Sequence, residues 1–185
     1  MPVKPEILNC KMVARSRLFR IEELSLRFSN GEERIYERLA SGGSGAVLIV
    51  PILDEDTVLL IREYGVGIEG YEIGLPKGRV ESGEDILHAA NRELMEEVGH
   101  GARELKLLKR VSQSPSYMQH HTNIIIAQGL YPETAEGDEP EPLDVVPCSL
   151  SDIDNLVASG ELTEARSIAA LYLARAYLKG DYKPN

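Results

Sequence analysis

Three carboxylates, Glu93, Glu96 and Glu97, stand at i, i+3 and i+4 in the stretch ILHAANRELMEEVG. In a helix that spacing gathers them on one arc of about 100°. Glu96 and Glu97 would also occupy a last helical turn, where the dipole favours cations. On a solvated face each like-charged pair costs only about 0.2–0.5 kcal/mol. In a cleft, two carboxylates ~5 Å apart at an effective dielectric near ~20 repel by about 3 kcal/mol. Such a cluster persists only with a cation or a shared proton. Spacing alone leaves a solvated acidic helix face as the plainer alternative.

The helix that would carry them is expected over 82–98. Ser82 is a candidate N-cap with Asp85 three positions later, Glu84 and Asp85 suit the positive end of the dipole, and Gly99 fits the left-handed position after the last turn. Leu87, Ala90, Leu94 and Val98 fall within an arc of about 80° and predict a narrow buried stripe. Around this helix, AVLIVPIL, TVLLIREYG, ELKLLKRVSQ and TNIIIAQGL read as strands. Residues 11–40 read as an antiparallel hairpin closed by Asn30-Gly31 in a type I′ turn. The Gly/Ser stretch 41–45 reads as a connector; no Gly-Lys-Ser/Thr follows it, as a phosphate loop would need. An acidic, proline-bearing loop covers 133–144. Helices are expected near 151–159 and 163–179, the latter burying Ala165, Ile168, Ala169, Tyr172, Leu173 and Ala176. This order of elements predicts an α+β protein, an α/β/α sandwich preceded by an N-terminal antiparallel β module. The expected domains are 1–44 and 45–185.

Composition bounds the partners. The chain has 185 residues, and 43% hydrophobic with 27% charged residues excludes wholesale disorder. Its formal net charge of −10 and the lack of a Lys/Arg cluster argue against nucleic acid as a partner. A small anionic ligand stays possible if a divalent cation lies between it and the protein. Two cysteines, Cys10 and Cys148, suit a reducing compartment rather than a disulfide scaffold. With no apolar run long enough for a signal core or a membrane span, the expectation is a cytoplasmic protein without membrane contact.

From Gly78 the chain reads GRVESGEDILHAANRELMEEVGH. This resembles the Nudix box, G-x5-E-x7-R-E-U-x-E-E-x-G-U, with U a bulky aliphatic residue. Gly78, Glu84, Arg92, Glu93, Leu94, Glu96, Glu97 and Gly99 match, and His100 departs from the final U. Eight matches at residue usages of about 5–10% arise by chance about once in 10⁸ starting points or rarer. The resemblance implies a hydrolase that splits a nucleoside diphosphate linked to another moiety, using Mg²⁺ or Mn²⁺.

By that resemblance, Glu93, Glu96, Glu97 and the backbone carbonyl of Lys77 are the expected metal ligands. Arg92 is expected to orient these glutamates or to pair with Glu84. Further resemblance to the family's ADP-ribose pyrophosphatase and ADP-compound hydrolase branch rests on Pro115 in SQSPSY, on IREYGVG, on the N-terminal module, and on phrases such as FSNG, LYPE and EGDEPEPL. It implies Arg62, Glu63, Tyr64, Glu72 and Pro115 as candidate substrate contacts, ADP-linked small molecules as substrate, and a homodimer. Arg79 and the Lys77 side chain are candidate phosphate contacts on charge grounds, since a protein of net charge −10 must place some positive charge beside an anionic ligand, with plain solvent-exposed charges as the alternative. A glutamate of the acidic loop is implied as general base; Glu136, Glu139 and Glu141 compete, with Glu139 favoured. Glu139, Glu96 and Arg92 thus form the expected catalytic set. His120 and His121 are expected in a loop or surface role, since adjacent strand residues face opposite sides. A nucleotide-sugar pyrophosphatase and a non-catalytic ADP-ribose sensor are the alternatives, the latter opposed by three intact glutamates.

Overall fold

The structure, a computed structural model, describes residues 2–184. It divides into two compact units, one of residues 1–45 with 112–121 and one of 46–111 with 122–185. The segment 112–121 thus joins the N-terminal unit, although the sequence places it inside the expected domain 45–185.

The first unit is built on a three-stranded antiparallel sheet in the order β1 (Glu6–Arg15), β2 (Arg20–Arg27) and β3 (Glu33–Leu39). The expected hairpin is its β2–β3 half, to which β1 adds a further strand. The turn differs from the expected type I′. Gly31 has φ 86° and its N–H donates to the Phe28 carbonyl, whereas Asn30 keeps a negative φ and accepts the Glu32 N–H on its side chain. A turn followed by one left-handed glycine matches a type I turn with a glycine bulge, the usual longer hairpin loop. Strand β1 is exposed along its whole length.

The second unit holds the apolar runs. Strand β4 (Ala46–Pro51) is buried at every residue, and it pairs in parallel with β9 (His121–Pro132) from Ala46 opposite Thr122 to Pro51 opposite Ala127. The four-stranded sheet runs β7 (Lys77–Arg79), β4, β9, β8 (His100–Ser112). A second, three-stranded sheet runs β10 (Asp144–Ser149), β5 (Thr57–Gly65), β6 (Gly70–Gly74), all antiparallel. The alternation of strand side chains sorts the core into two layers. Val47, Ile49, Leu59, Ile61, Ile125 and Ala127 pack with Ala89, Ala90, Leu94 and Val98 of helix α1 (Ile86–Val98). Leu48, Val50, Val58, Leu60, Ile124 and Ile126 pack with Ile153 of α2 (Ile153–Ser159) and with Ala170, Leu171 and Ala174 of α3 (Ala165–Leu178). Helices on both faces explain why these strands read as continuous apolar runs, and they make the predicted α/β/α sandwich.

Two expectations about helices need correction. Helix α1 starts at Ile86, capped by Asp85 rather than Ser82; the Asp85 carboxylate accepts the Leu87 and His88 N–H groups at 2.9 and 3.2 Å. Gly83, at φ 83°, and the Glu81–Glu84 turn use up the residues before it. Helix α3 buries Ser167, Ala170, Leu171 and Ala174, not the face expected from 165, 168, 169, 172, 173 and 176. Alanines and leucines run all round this helix, so periodicity carries little information about which side is inward.

Candidate functional site

Helix α1 brings the acidic residues to one place. Its buried stripe of Ala90, Leu94 and Val98 fixes the helix against the sheet, and Glu93, between these rows, is carried inward to 9% exposure. Gly78 of β7 makes that possible. A Cβ at position 78 would lie 1.9 Å from Cδ of Glu93, so only glycine lets the carboxylate lie against the strand. Burial pushes the Glu93 carboxyl upward, an effect that the neighbouring Arg92 only partly offsets. One turn further, Glu97 Oε2 accepts the backbone N–H of Lys77 at 2.9 Å. Burial, opposed by that bond and reinforced by the charges of Glu93 and Glu63, raises its pKa to about 8.

Arg92 ties the group together. Its Nε donates to Glu84 Oε1 at 3.0 Å, its Nη1 lies 2.9 Å from Glu93 Oε1 and 3.0 Å from Glu96 Oε2, and its Nη2 reaches the Arg79 carbonyl at 3.1 Å. The guanidinium in turn holds Glu84 down at about 2. Arg92 thus contacts Glu84 and two of the three glutamates, the partners that its two expected roles name. Gly99 closes the helix at φ 69° as expected. His100, the departure from the aliphatic pattern, is half-buried with Nδ1 3.0 Å from the Val98 carbonyl, so a polar ring finds a partner there.

The acidic loop closes over this helix end. Glu93, Glu96 and Glu97 line one cavity of about 250 Å³ with Gly137, Asp138, Glu139, Pro140, Glu141, Pro142 and Leu143. Glu139 is the loop carboxylate with a raised pKa, from burial first and then from the charges of Glu63 and Asp138. Glu141 is engaged otherwise, accepting the Tyr71 hydroxyl at 2.5 Å, which raises the pKa of that tyrosine. Glu136 does not line the cavity.

The other expected residues fall as follows. On the β5–β6 pair, Glu63 stands opposite Glu72, Tyr64 opposite Tyr71 and Arg62 opposite Ile73. Lys77 Nζ pairs with Glu63, which offsets part of the cross-strand repulsion. Glu72 accepts the Thr163 hydroxyl at 3.5 Å. Tyr64 and Tyr71 meet edge to face with centroids 5.4 Å apart, both exposed. Arg62 and Arg79 are exposed. Pro115 lies in the other compact unit, in the Ser114–Tyr117 turn, where it lines a cavity of about 380 Å³ with Leu24, Leu26 and Tyr36. His121 opens β9 and lines that same cavity, while His120 precedes the strand. Sequence reasoning missed Tyr71 and Asp138; the register of the β5–β6 hairpin, with Tyr71 across from Tyr64, was the signal for the first.

The donors suit a hard divalent cation: three carboxylates on one helix end, two of them pushed toward protonation chiefly by burial. Among the described residues no three His, Cys, Asp or Glu side chains converge as a metal site; Arg92 engages Glu93 and Glu96, and the Lys77 N–H engages Glu97.

Comparisons with known proteins give the family. Residues 44–179 match the model of the NUDIX domain, and residues 5–38 match that of the NudE-type Nudix hydrolase N-terminal domain. The chain is 52% identical to the ADP compounds hydrolase NudE of Escherichia coli strain K12, over 96% of this chain and 95% of that one. It is 30% identical to an ADP-ribose pyrophosphatase of Bacillus subtilis strain 168, over 69% and 70% of the two chains. A crystal structure of an ADP compounds hydrolase superposes with a TM-score of 0.89 at 50% identity, covering 97% of each chain. With its box glutamates gathered at the end of α1 and the domain match spanning most of its length, the chain belongs to the Nudix hydrolase family.

Proposed function

We propose that this Nudix hydrolase cleaves the diphosphate of ADP-linked metabolites such as ADP-ribose, NADH and diadenosine polyphosphates, releasing AMP. The observation that carries the proposal is the single cavity shared by Glu93, Glu96, Glu97 and the loop that bears Glu139. The relatives' names, an ADP compounds hydrolase and an ADP-ribose pyrophosphatase, supply the substrate class.

Glu93, Glu96, Glu97 and the Lys77 carbonyl would hold Mg²⁺ or Mn²⁺, which when bound polarises phosphoryl oxygens and lowers the pKa of a water. Glu139 takes the proton of the attacking water on its carboxylate; a raised pKa brings a carboxylate closer to the range useful to a general base. Arg92 keeps Glu93 and Glu96 aimed by charge-assisted bonds rather than touching substrate. Tyr64, backed by Tyr71, offers an aromatic face to the adenine, with Arg62, Glu63 and Glu72 on the same strand pair. Arg79 completes the proposed substrate contacts of this unit, while Pro115 lines a cavity of the N-terminal unit instead.

The proposed assembly is a homodimer. Ile7, Met12, Leu18, Phe19, Ile35 and Tyr36 of the N-terminal unit are exposed large apolar side chains, the kind of surface a second copy covers. Light scattering on the purified protein reads this directly, a monomer at micromolar concentration being the contrary result. A cytoplasmic location is proposed on the two free cysteines, and no helix among the described residues is long and apolar enough to cross a membrane.

Product analysis tests the function: ADP-ribose, NADH and diadenosine triphosphate are each incubated with Mg²⁺ or with chelator. Metal-dependent AMP release is expected. Saturable ADP-ribose binding without cleavage would replace the enzyme by a sensor, and turnover of nucleotide sugars alone would move the substrate class.

A further inference from the structure

Between the end of β6 at Gly74 and the start of β7 at Lys77, the chain crosses from one sheet to the other through Leu75 and Pro76. Leu75 is fully buried, so its N–H needs a partner there, and proline has no N–H to offer. Helix α3 supplies the partner. Ser167 Oγ, on a residue with no exposed surface, accepts the Leu75 N–H at 2.9 Å. Its own proton goes to Glu164 Oε2 at 2.7 Å, which fixes the hydroxyl as acceptor from Leu75 and donor to Glu164. Glu164 is itself held by the Arg166 guanidinium at 2.8 Å and by the N–H groups of Arg166 and Ser167. Burial works to raise its pKa, but those bonds outweigh it and keep the carboxylate ionised. The approach at Gly74 is close, since a Cβ there would stand 3.3 Å from the serine oxygen.

The next two residues lead directly into the acidic site. The Pro76 carbonyl accepts the Ile49 N–H at 2.9 Å, and the Lys77 N–H donates to Glu97 Oε2 at 2.9 Å. One residue later Gly78 faces the Glu93 carboxylate. The segment 75–78 is therefore pinned on one side by α3 and presents its backbone to two glutamates of α1 on the other.

We propose that Ser167, oriented by Glu164, is a positioning residue for the acidic site: by fixing the Leu75 N–H it holds the Lys77 N–H on Glu97. The inference rests on Glu97 as a cation ligand, and it extends the site to a helix that contributes no residue to the glutamate-lined cavity. Groups that orient a ligand from behind commonly tune metal affinity as strongly as some ligands do.

The test measures Mn²⁺ binding by calorimetry, amide hydrogen exchange at Leu75 and Lys77, and urea unfolding in chelator, for Ser167→Ala, Ser167→Thr, Glu164→Gln and Glu97→Gln. In Ser167→Ala the Mn²⁺ affinity falls about tenfold and the Lys77 amide exchanges faster than global unfolding accounts for, while Ser167→Thr restores both. If Ser167→Ala does not fold, Glu164→Gln decides, with a loss of a few-fold expected and the same quickened Lys77 exchange. Unchanged Mn²⁺ affinity and Lys77 protection in Ser167→Ala, beside weakened binding in Glu97→Gln, would overturn the positioning role and leave the ligand assignment standing. Unchanged binding in Glu97→Gln would overturn the ligand assignment, and the proposal with it.

Discussion

Glu97→Gln should make the metal-free protein more stable while abolishing its activity. In the folded chain burial lifts the Glu97 carboxyl from its ordinary 4.5 to about 8. The native state therefore keeps a proton that the unfolded chain releases above pH 4.5, so stability falls as pH rises. Its contribution is intact below pH 4.5 and is lost progressively up to about pH 8. Each pH unit in that window costs about 1.4 kcal/mol. By pH 7 this amounts to about 3 kcal/mol, and water at the rim of the cavity reduces the expectation to about 2 kcal/mol. Glutamine has the shape of the protonated acid, its carbonyl can accept the Lys77 N–H, and it has no proton to lose. Urea unfolding in chelator should show the variant ahead by about 2 kcal/mol at pH 7–8, with the gap closing toward pH 5. Saturating Mg²⁺ should restore the wild type, because a cation that binds only the folded state stabilises it. A Glu97→Gln protein no more stable than wild type at pH 8, or a gap that does not grow with pH, would refute the reasoning.

Other perturbations separate the parts of the site. Gly78→Ala forces a methyl into the space of the Glu93 carboxylate; steady-state kinetics should show about a 10²-fold loss in kcat/KM, with circular dichroism still native. Glu139→Gln should lower kcat by about 10²–10⁴ while Mn²⁺ affinity stays unchanged by calorimetry, whereas Glu141→Gln, whose amide oxygen can still accept the Tyr71 hydroxyl, should lower kcat by about tenfold at most. Arg92→Lys keeps the charge but not the fork that reaches Glu84, Glu93 and Glu96 together; urea unfolding should show a loss of about 1–3 kcal/mol. Because Arg92 holds Glu84 at about 2, the wild-type contribution of this pair is present above pH 4.5 and lost as pH falls toward 2; an acid titration of the variant should show a weaker dependence over that range.

What was legible in the sequence follows from how locally each feature is encoded. The box residues announce their chemistry because one helix carries all three glutamates, and i, i+3, i+4 spacing becomes proximity without help from the fold. Gly99 is equally local, a left-handed residue closing a helix. The two-sided core was legible too, since continuous runs such as AVLIVP suit strands covered on both faces. Features that need two distant segments were not. Ser82 obeys the capping rule, yet Asp85 caps the helix because Glu84 is drawn to Arg92 and the chain turns at Gly83 before α1 begins. Strand β10 hides inside DVVPCS, where a proline argues against a strand; it lies at the edge of its sheet, where a missing donor is tolerated. The inward face of α3 was misread for a related reason. Its alanines and leucines fit either side, and the residue that marks the true face is Ser167, a polar residue that hydropathy assigns to the surface. That serine is buried because the Leu75 N–H needs an acceptor and the Glu164 carboxylate needs a donor, a demand created 92 residues away in sequence. A polar residue on a buried face is thus the trace of a backbone obligation elsewhere, and here the obligation lies three residues before the start of the box. The same logic reads Gly78 as space reserved for a carboxylate rather than as a turn. In both places a local rule is broken at the point where the segment 75–78 meets a helix, and that segment is what joins α3 to the glutamates of α1.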